Sequence, residues 1–158
     1  MENRLMQRNL PQLLLSARDK LMSHFRPILN QFGLTEQQWR VLRALDAKGE
    51  IEQCDLCDLC QMHSASMAGV LARMQALDLV GRNRMTTDQR RVLVRLSQHG
   101  ERLMGEMTPL IETQYQLIEQ AGGGPLLDEL FTALDAFIQF QMPSAEPDTR
   151  PVDYRSGI

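Results

Sequence analysis

The chain has 158 residues, with 17 Lys and Arg against 20 Asp and Glu and a formal net charge of −3. That length is one domain, or one domain with an oligomerisation extension, and no run of eighteen apolar residues is present that could span a bilayer. With only five Phe, two Tyr and one Trp, leucine and ten methionines must fill the interior, which suits helices better than a sandwich of sheets.

Met1-Glu2-Asn3-Arg4 leads into an amphipathic segment and not into the apolar stretch of a signal peptide, so a cytoplasmic protein is expected. Apolar residues at 10, 14, 17, 21, 25, 28 and 32 keep a three-four spacing that predicts a first helix over Leu10 to Phe32. Pro27 is a kink point and Gly33 an end. Thr35 reads as an N-cap with Gln38 as its capping-box partner, opening a second helix over Glu36 to Ala47 that Gly49 closes. Asp55 to Cys60 reads as a short third helix, and Ser64 as the cap of a fourth that runs to Asp78.

From Leu79 to Ser97 two β-branched, arginine-bearing runs flank a polar tip, Thr86-Thr87-Asp88-Gln89-Arg90, which predicts a β-hairpin. Six arginines between Ser64 and Arg95 (73, 82, 84, 90, 91 and 95) face Asp78 and Asp88, about +4, so the remainder carries roughly −7. Such a basic block on an acidic chain is a localised footprint for phosphate. Helix, turn, helix and basic hairpin are the layout of a winged helix-turn-helix over residues 34–97, whose second helix enters the major groove of duplex DNA while the hairpin reaches sideways.

Ser97 caps a long fifth helix with apolar positions 103, 107, 110, 111, 117 and 118. Gly122-Gly123-Gly124 breaks it, and Pro125 opens a sixth helix with apolar residues 126, 127, 130, 131, 134, 137 and 138. Three prolines and scattered charges after Met142 predict an extended or disordered tail over 142–158. The expected fold is thus mainly α, about six helices and a small wing. The terminal helices carry apolar stripes that the winged motif alone cannot cover, so residues 1–33 and 98–141 are expected to form the dimerisation helices of a symmetric homodimer.

The N-terminal helix, the Asp88-x-Arg90 pair at the wing tip, Leu96-Ser97-x-x-Gly100 and two C-terminal helices together resemble the MarR family of dimeric transcription regulators. Phe25-Arg26-Pro27-Ile28 followed by Leu34-Thr35-Glu36-Gln37-Gln38-Trp39-Arg40 is similar to the branch that represses homoprotocatechuate and other aromatic-acid degradation operons. The resemblance covers about residues 8–141. It implies a repressor of operator DNA released by a small aromatic acid, with a ligand pocket between the first, second and fifth helices.

On the fourth helix Met67, Val70, Leu71, Met74 and Leu77 share the core face, while Ala65, Gly69, Ala72 and Ala76 lie opposite and allow close approach to a groove. Ser64, Ser66, Arg73 and Gln75 supply hydrogen-bonding groups at its edges. In the wing Arg90 matches the family's tip arginine and Asp88 can hold the loop in shape, with Arg84 and Arg91 as further phosphate contacts. Arg18 falls within the apolar stripe of the first helix, where an unpaired cation costs several kcal/mol. It reads either as a snorkelling side chain or intersubunit salt bridge, or as a receptor for an effector's carboxylate, with Arg40 a second candidate and Ser16 and His24 as partners for ring hydroxyls.

Cys54-x-x-Cys57-x-x-Cys60-x-x-His63 invites a metal or redox reading. On a continuous helix Cys54 and Cys60 are about 9 Å apart along the axis, whereas thiolates on one tetrahedral zinc sit under about 4 Å apart. Cys60 is better read as a core residue sharing a face with Leu56 and Leu59, so no metal is expected, and a redox- or metal-responsive repressor using these cysteines is the alternative. No nucleophile–base pair, phosphate-cradling loop or paired carboxylates are present, so neither enzyme activity nor a cofactor is expected.

Overall fold

The computed structural model describes residues 9–84 and 91–141. Among them are six helices and a three-stranded sheet: α1 (Leu10–Gln31), α2 (Glu36–Lys48), β1 (Ile51–Glu52), α3 (Gln53–Leu59), α4 (Ser64–Ala76), β2 (Val80–Arg84), β3 (Val92–Leu96), α5 (Gln98–Ile118) and α6 (Gly124–Gln139). They sort into two compact units divided between Leu117 and Ile118.

In the first unit α1 starts on Asn9, whose side chain accepts from the Gln12 N–H, and runs unbroken through Pro27. Its stop is the turn at Gly33, with φ 66°, where any side chain would be strained. Thr35 and Gln38 form the reciprocal capping box, with Gln38 N donating to Thr35 Oγ1 at 3.2 Å and Thr35 N to Gln38 Oε1 at 2.8 Å. The core gathers Phe25 and Leu29 of α1, Val41, Leu42 and Leu45 of α2, Leu56 of α3, Met67, Val70, Leu71 and Met74 of α4, Val94 of β3 and Met107 of α5. Each large apolar side chain buried there contributes about 1.5–3 kcal/mol.

The two strands of the expected hairpin pair, and its tip over 85–90 lies outside the described residues. β2 and β3 run antiparallel, from Val80 opposite Leu96 to Arg84 opposite Val92. β1 adds a third strand on the other side of β3, Ile51 opposite Val94 and Glu52 opposite Leu93, giving the order β1-β3-β2. Ser97 caps α5, its Oγ accepting from the Gly100 N–H at 3.0 Å.

Several local expectations are corrected. Ser64 is the first residue of α4 and not its cap; His63 holds the cap position without a side-chain hydrogen bond. α4 ends at Ala76, so Leu77 turns out of the core face and is 53% exposed. Leu59 likewise faces outward, while Cys60 is buried. On α5 the inward residues include Met104, one position from the expected Leu103. The first turns of α1 keep Leu10, Leu13, Leu14 and Leu15 exposed, and Leu110 and Leu117 of α5 are exposed as well.

In the second unit a wide turn over Glu119–Gly123 passes through Gly122, at φ 87°, and Pro125 opens α6. Leu126, Leu130, Phe131, Phe137, Ile138 and Phe140 are exposed. The expected tail over 142–158 lies outside the described residues, and no described helix is long and apolar enough to cross a membrane.

Candidate nucleic-acid interface and ligand cleft

The core face of α4 leaves Ser64, Ala65, Ser66, Ala72, Arg73, Gln75 and Ala76 exposed, with Gly69 half-buried between them. These small residues let the helix backbone approach a surface closely, and the uncapped N–H groups at its start can donate to phosphate. A methyl group built on Gly69 would meet the Arg73 guanidinium at 3.6 Å, so Arg73 lies back along the helix over Gly69. From the wing Arg82 Nε donates to Gln75 Oε1 at 2.9 Å, tying β2 to the end of α4. Arg84 is exposed at the end of β2, beside a shallow concavity shared with Gln75, Arg82 and Asn83. Arg91 makes two hydrogen bonds to Glu52 of β1, one of 2.9 Å from Nε, so one carboxylate already engages this candidate phosphate contact. Asp88 and Arg90 lie outside the described residues.

The four residues expected to hold a ligand are not brought together. Ser16 and Arg18 are both exposed on α1. Arg18 reaches Glu36 at the start of α2, 2.5 Å away, and Arg26 reaches the same carboxylate at 2.8 Å as well as Asp19. The hydrogen bonds from Arg26 and then Arg18 hold the Glu36 carboxyl below the usual carboxylate range, and those that Arg26 donates to Asp19 and Glu36 raise Arg26. Arg18 is therefore an ion-paired surface residue linking α1 to α2. His24 is exposed, its Nδ1 3.4 Å from Gln114 Nε2. Arg40 points toward α3, donating from Nη1 to the Cys60 carbonyl at 2.8 Å.

A cleft of about 250 Å³ instead opens between α2 and α5. Trp39, Arg43 and Asp46 line it from α2, and Met104, Met107, Thr108, Ile111, Glu112 and Tyr115 from α5. Arg43 lies over the Trp39 ring with its guanidinium carbon 5.5 Å from the centroid. Phe25 of α1 backs the aromatic wall, 5.8 Å from Trp39 and 4.8 Å from Tyr115 between centroids. The arrangement offers an apolar slot, one guanidinium suited to a carboxylate and two carboxylates, Asp46 and Glu112, that can accept from hydroxyls. The first-helix oddity drew the sequence reading to Arg18; the i, i+4 spacing of Trp39 and Arg43 was the signal for this site.

Cys54 is exposed, its thiol 3.8 Å from Glu52 Oε2 and 3.7 Å from Asp55 Oδ1, whereas Cys57 and Cys60 are buried. Burial pushes both of those thiols up, away from the reactive thiolate. Among the described residues no three His, Cys, Asp or Glu side chains are grouped closely enough to hold a metal ion.

Residues 32–91, which span α2 to the wing, match the model of the MarR family. The chain is 39% identical over 110 residues to the HTH-type transcriptional regulator FarR of Neisseria gonorrhoeae, covering 70% of this chain and 75% of that protein. It is 35% identical over 125 residues to the homoprotocatechuate degradative operon repressor of Escherichia coli, covering 79% and 84%. This chain belongs to the MarR family. The fold agrees: the crystal structure of transcriptional regulator PA4135 superposes with a TM-score of 0.80 at 41% identity, covering 84% of this chain and 98% of that one. NadR in complex with 4-hydroxyphenylacetate does so with a TM-score of 0.70 at 35% identity, covering 81% and 91%. The chain is a winged-helix transcriptional regulator of this family, similar to the homoprotocatechuate branch.

Proposed function

We propose that this MarR-family regulator is a homodimeric repressor of an aromatic-acid catabolic operon, released when a hydroxylated aromatic carboxylic acid enters the α2–α5 cleft. The observation that carries the reading is that cleft, with Arg43 over Trp39 and Asp46 on the α2 wall and Glu112 on the α5 wall. A carboxylate on Arg43 and a ring hydroxyl donated to Asp46 or Glu112 satisfy both ends of one flat molecule. At about 250 Å³ the cleft is just below the usual range of ligand clefts, roughly 300–1,000 Å³, and suits nothing larger than a single ring. The names of two similar proteins support the class: a homoprotocatechuate operon repressor and NadR with 4-hydroxyphenylacetate.

Duplex operator DNA is the partner of the α4 surface and the wing. In this reading Ser64, Ala65, Ser66, Gly69 and Arg73 approach the major groove, Arg84 and Arg91 contact phosphate, and Arg90 with Asp88 serves the minor groove. Residues 1–33 and 98–141 form the dimer, which covers the exposed leucines of α1 and α5 and spaces two α4 helices for a palindromic site.

The test is a DNA-binding titration with 4-hydroxyphenylacetate and its 3,4-dihydroxy analogue on the parent and on Arg43→Met, with Arg18→Met as comparison. A tenfold release requires about 1.4 kcal/mol of differential binding, which a bidentate ion pair made in one state supplies. Arg43→Met should bind operator DNA and lose release by the acids, while Arg18→Met keeps it. Undiminished release in Arg43→Met overturns the anchor. Release by peroxide or chelator and by none of the acids moves the sensor to Cys54, Cys57 and Cys60.

A further inference from the structure

Along the side of α2 that meets α3 runs a second concavity, of about 330 Å³. Arg40, Ala44 and Lys48 are spaced four apart, with Ala47 three after Ala44, so they form one stripe about 12 Å long on the helix. Leu59, 53% exposed at the end of α3, forms the facing apolar wall. The lining residues include three cations, Arg40, Arg43 and Lys48, and no carboxylate. Among the described residues none of the three forms an ion pair. Arg40 has one bond to a neutral carbonyl, and its Nε is buried without a partner. Positive charge beside an apolar groove, with no ion-pair partner among the described residues, is complementary to an amphipathic anion.

We propose that this groove is a second small-molecule site, which takes an unhydroxylated amphipathic monocarboxylate such as an arylalkanoate. The carboxylate pairs with Lys48 at one end, and the apolar body runs back along Ala47 and Ala44 beside Leu59 toward Arg40. The groove has no acidic acceptor for a ring hydroxyl, whereas the α2–α5 cleft has Asp46 and Glu112, so the two sites sort acids by hydroxylation. Trp39 and Arg43 line both, so occupancy of one alters the wall of the other.

Isothermal titration of the full chain with 4-phenylbutyrate tests this. One molecule should bind per chain, and Lys48→Glu and Ala47→Phe should each weaken binding at least tenfold, by reversing a charge and by filling the groove. Both positions are exposed, so folding is expected to be retained, as circular dichroism will report. Titration of 4-hydroxyphenylacetate into the parent and into Thr108→Phe reads the α2–α5 cleft, so failure of the effector reading is seen apart from the phenylbutyrate result. The proposal is overturned by no saturable binding of phenylbutyrate, or by equal binding in parent and both groove variants. Loss of binding in Thr108→Phe, which blocks the other cleft, with retention in Lys48→Glu, also overturns it. So does an Ala47→Phe protein whose only change is a shift from dimer to monomer in sedimentation, because a second copy of the chain then fills the groove.

Discussion

At the scale of single residues, charge placement separates what local spacing announces from what it does not. Arg18 reads from its helical position as a cation on an apolar stripe, yet its partner is Glu36, eighteen residues further on, and no local pattern reveals that pair. The capping box at Thr35 and Gln38 was legible because both members lie within one turn. The pairing has a measurable consequence. Glu36 is lowered by Arg26 and Arg18, so its contribution to stability is complete above the ordinary carboxylate value of about 4.3 and is lost as pH falls through its lower folded value. Thermal melts of the parent and Glu36→Gln should therefore differ most at neutral pH and converge below about pH 4. A difference that persists unchanged into acid would mean that the pair does not carry it.

At the scale of elements, periodicity and caps located every long helix, because an apolar stripe and its stop residues are local. β1 was not foreseen, since two residues show no alternation and their strand character comes wholly from pairing with β3. The close packing of the wing on α5 was present in the sequence as Ser97-x-x-Gly100, though without its reason. Ser97 N donates to the Leu79 carbonyl at 3.1 Å, and a Cβ on Gly100 would sit 2.2 Å from that same carbonyl oxygen. Gly100→Ala must push α5 away from the end of β2's approach segment, or break the Ser97 bond. It should cost about 1–3 kcal/mol, the usual penalty for overpacking, whereas Gly105→Ala, with open space around it, should be neutral or stabilising. Denaturant melts of the two variants provide the comparison.

At the scale of the whole molecule, the exposed leucines of α1 and α5 and the apolar stripe of α6 exceed what a monomer in water ordinarily displays. Removing residues 125–158 should abolish the proposed dimer, and removing 143–158 should not. Sedimentation of both truncations decides this, and a well-folded dimer lacking α6 would place the interface elsewhere.

One helix joins the proposed ligand cleft to the wing. Arg43 and Asp46 face the α2–α5 cleft, α2 ends at Lys48, and after Gly49 the chain is already hydrogen-bonded to the wing at Ile51. The connection between the cleft and the wing is thus only a few residues long and passes through Gly49, at φ 78°. In the proposed reading so short a connection leaves little slack to absorb a rotation of α2, and its movement reaches β3, the strand that carries Arg95.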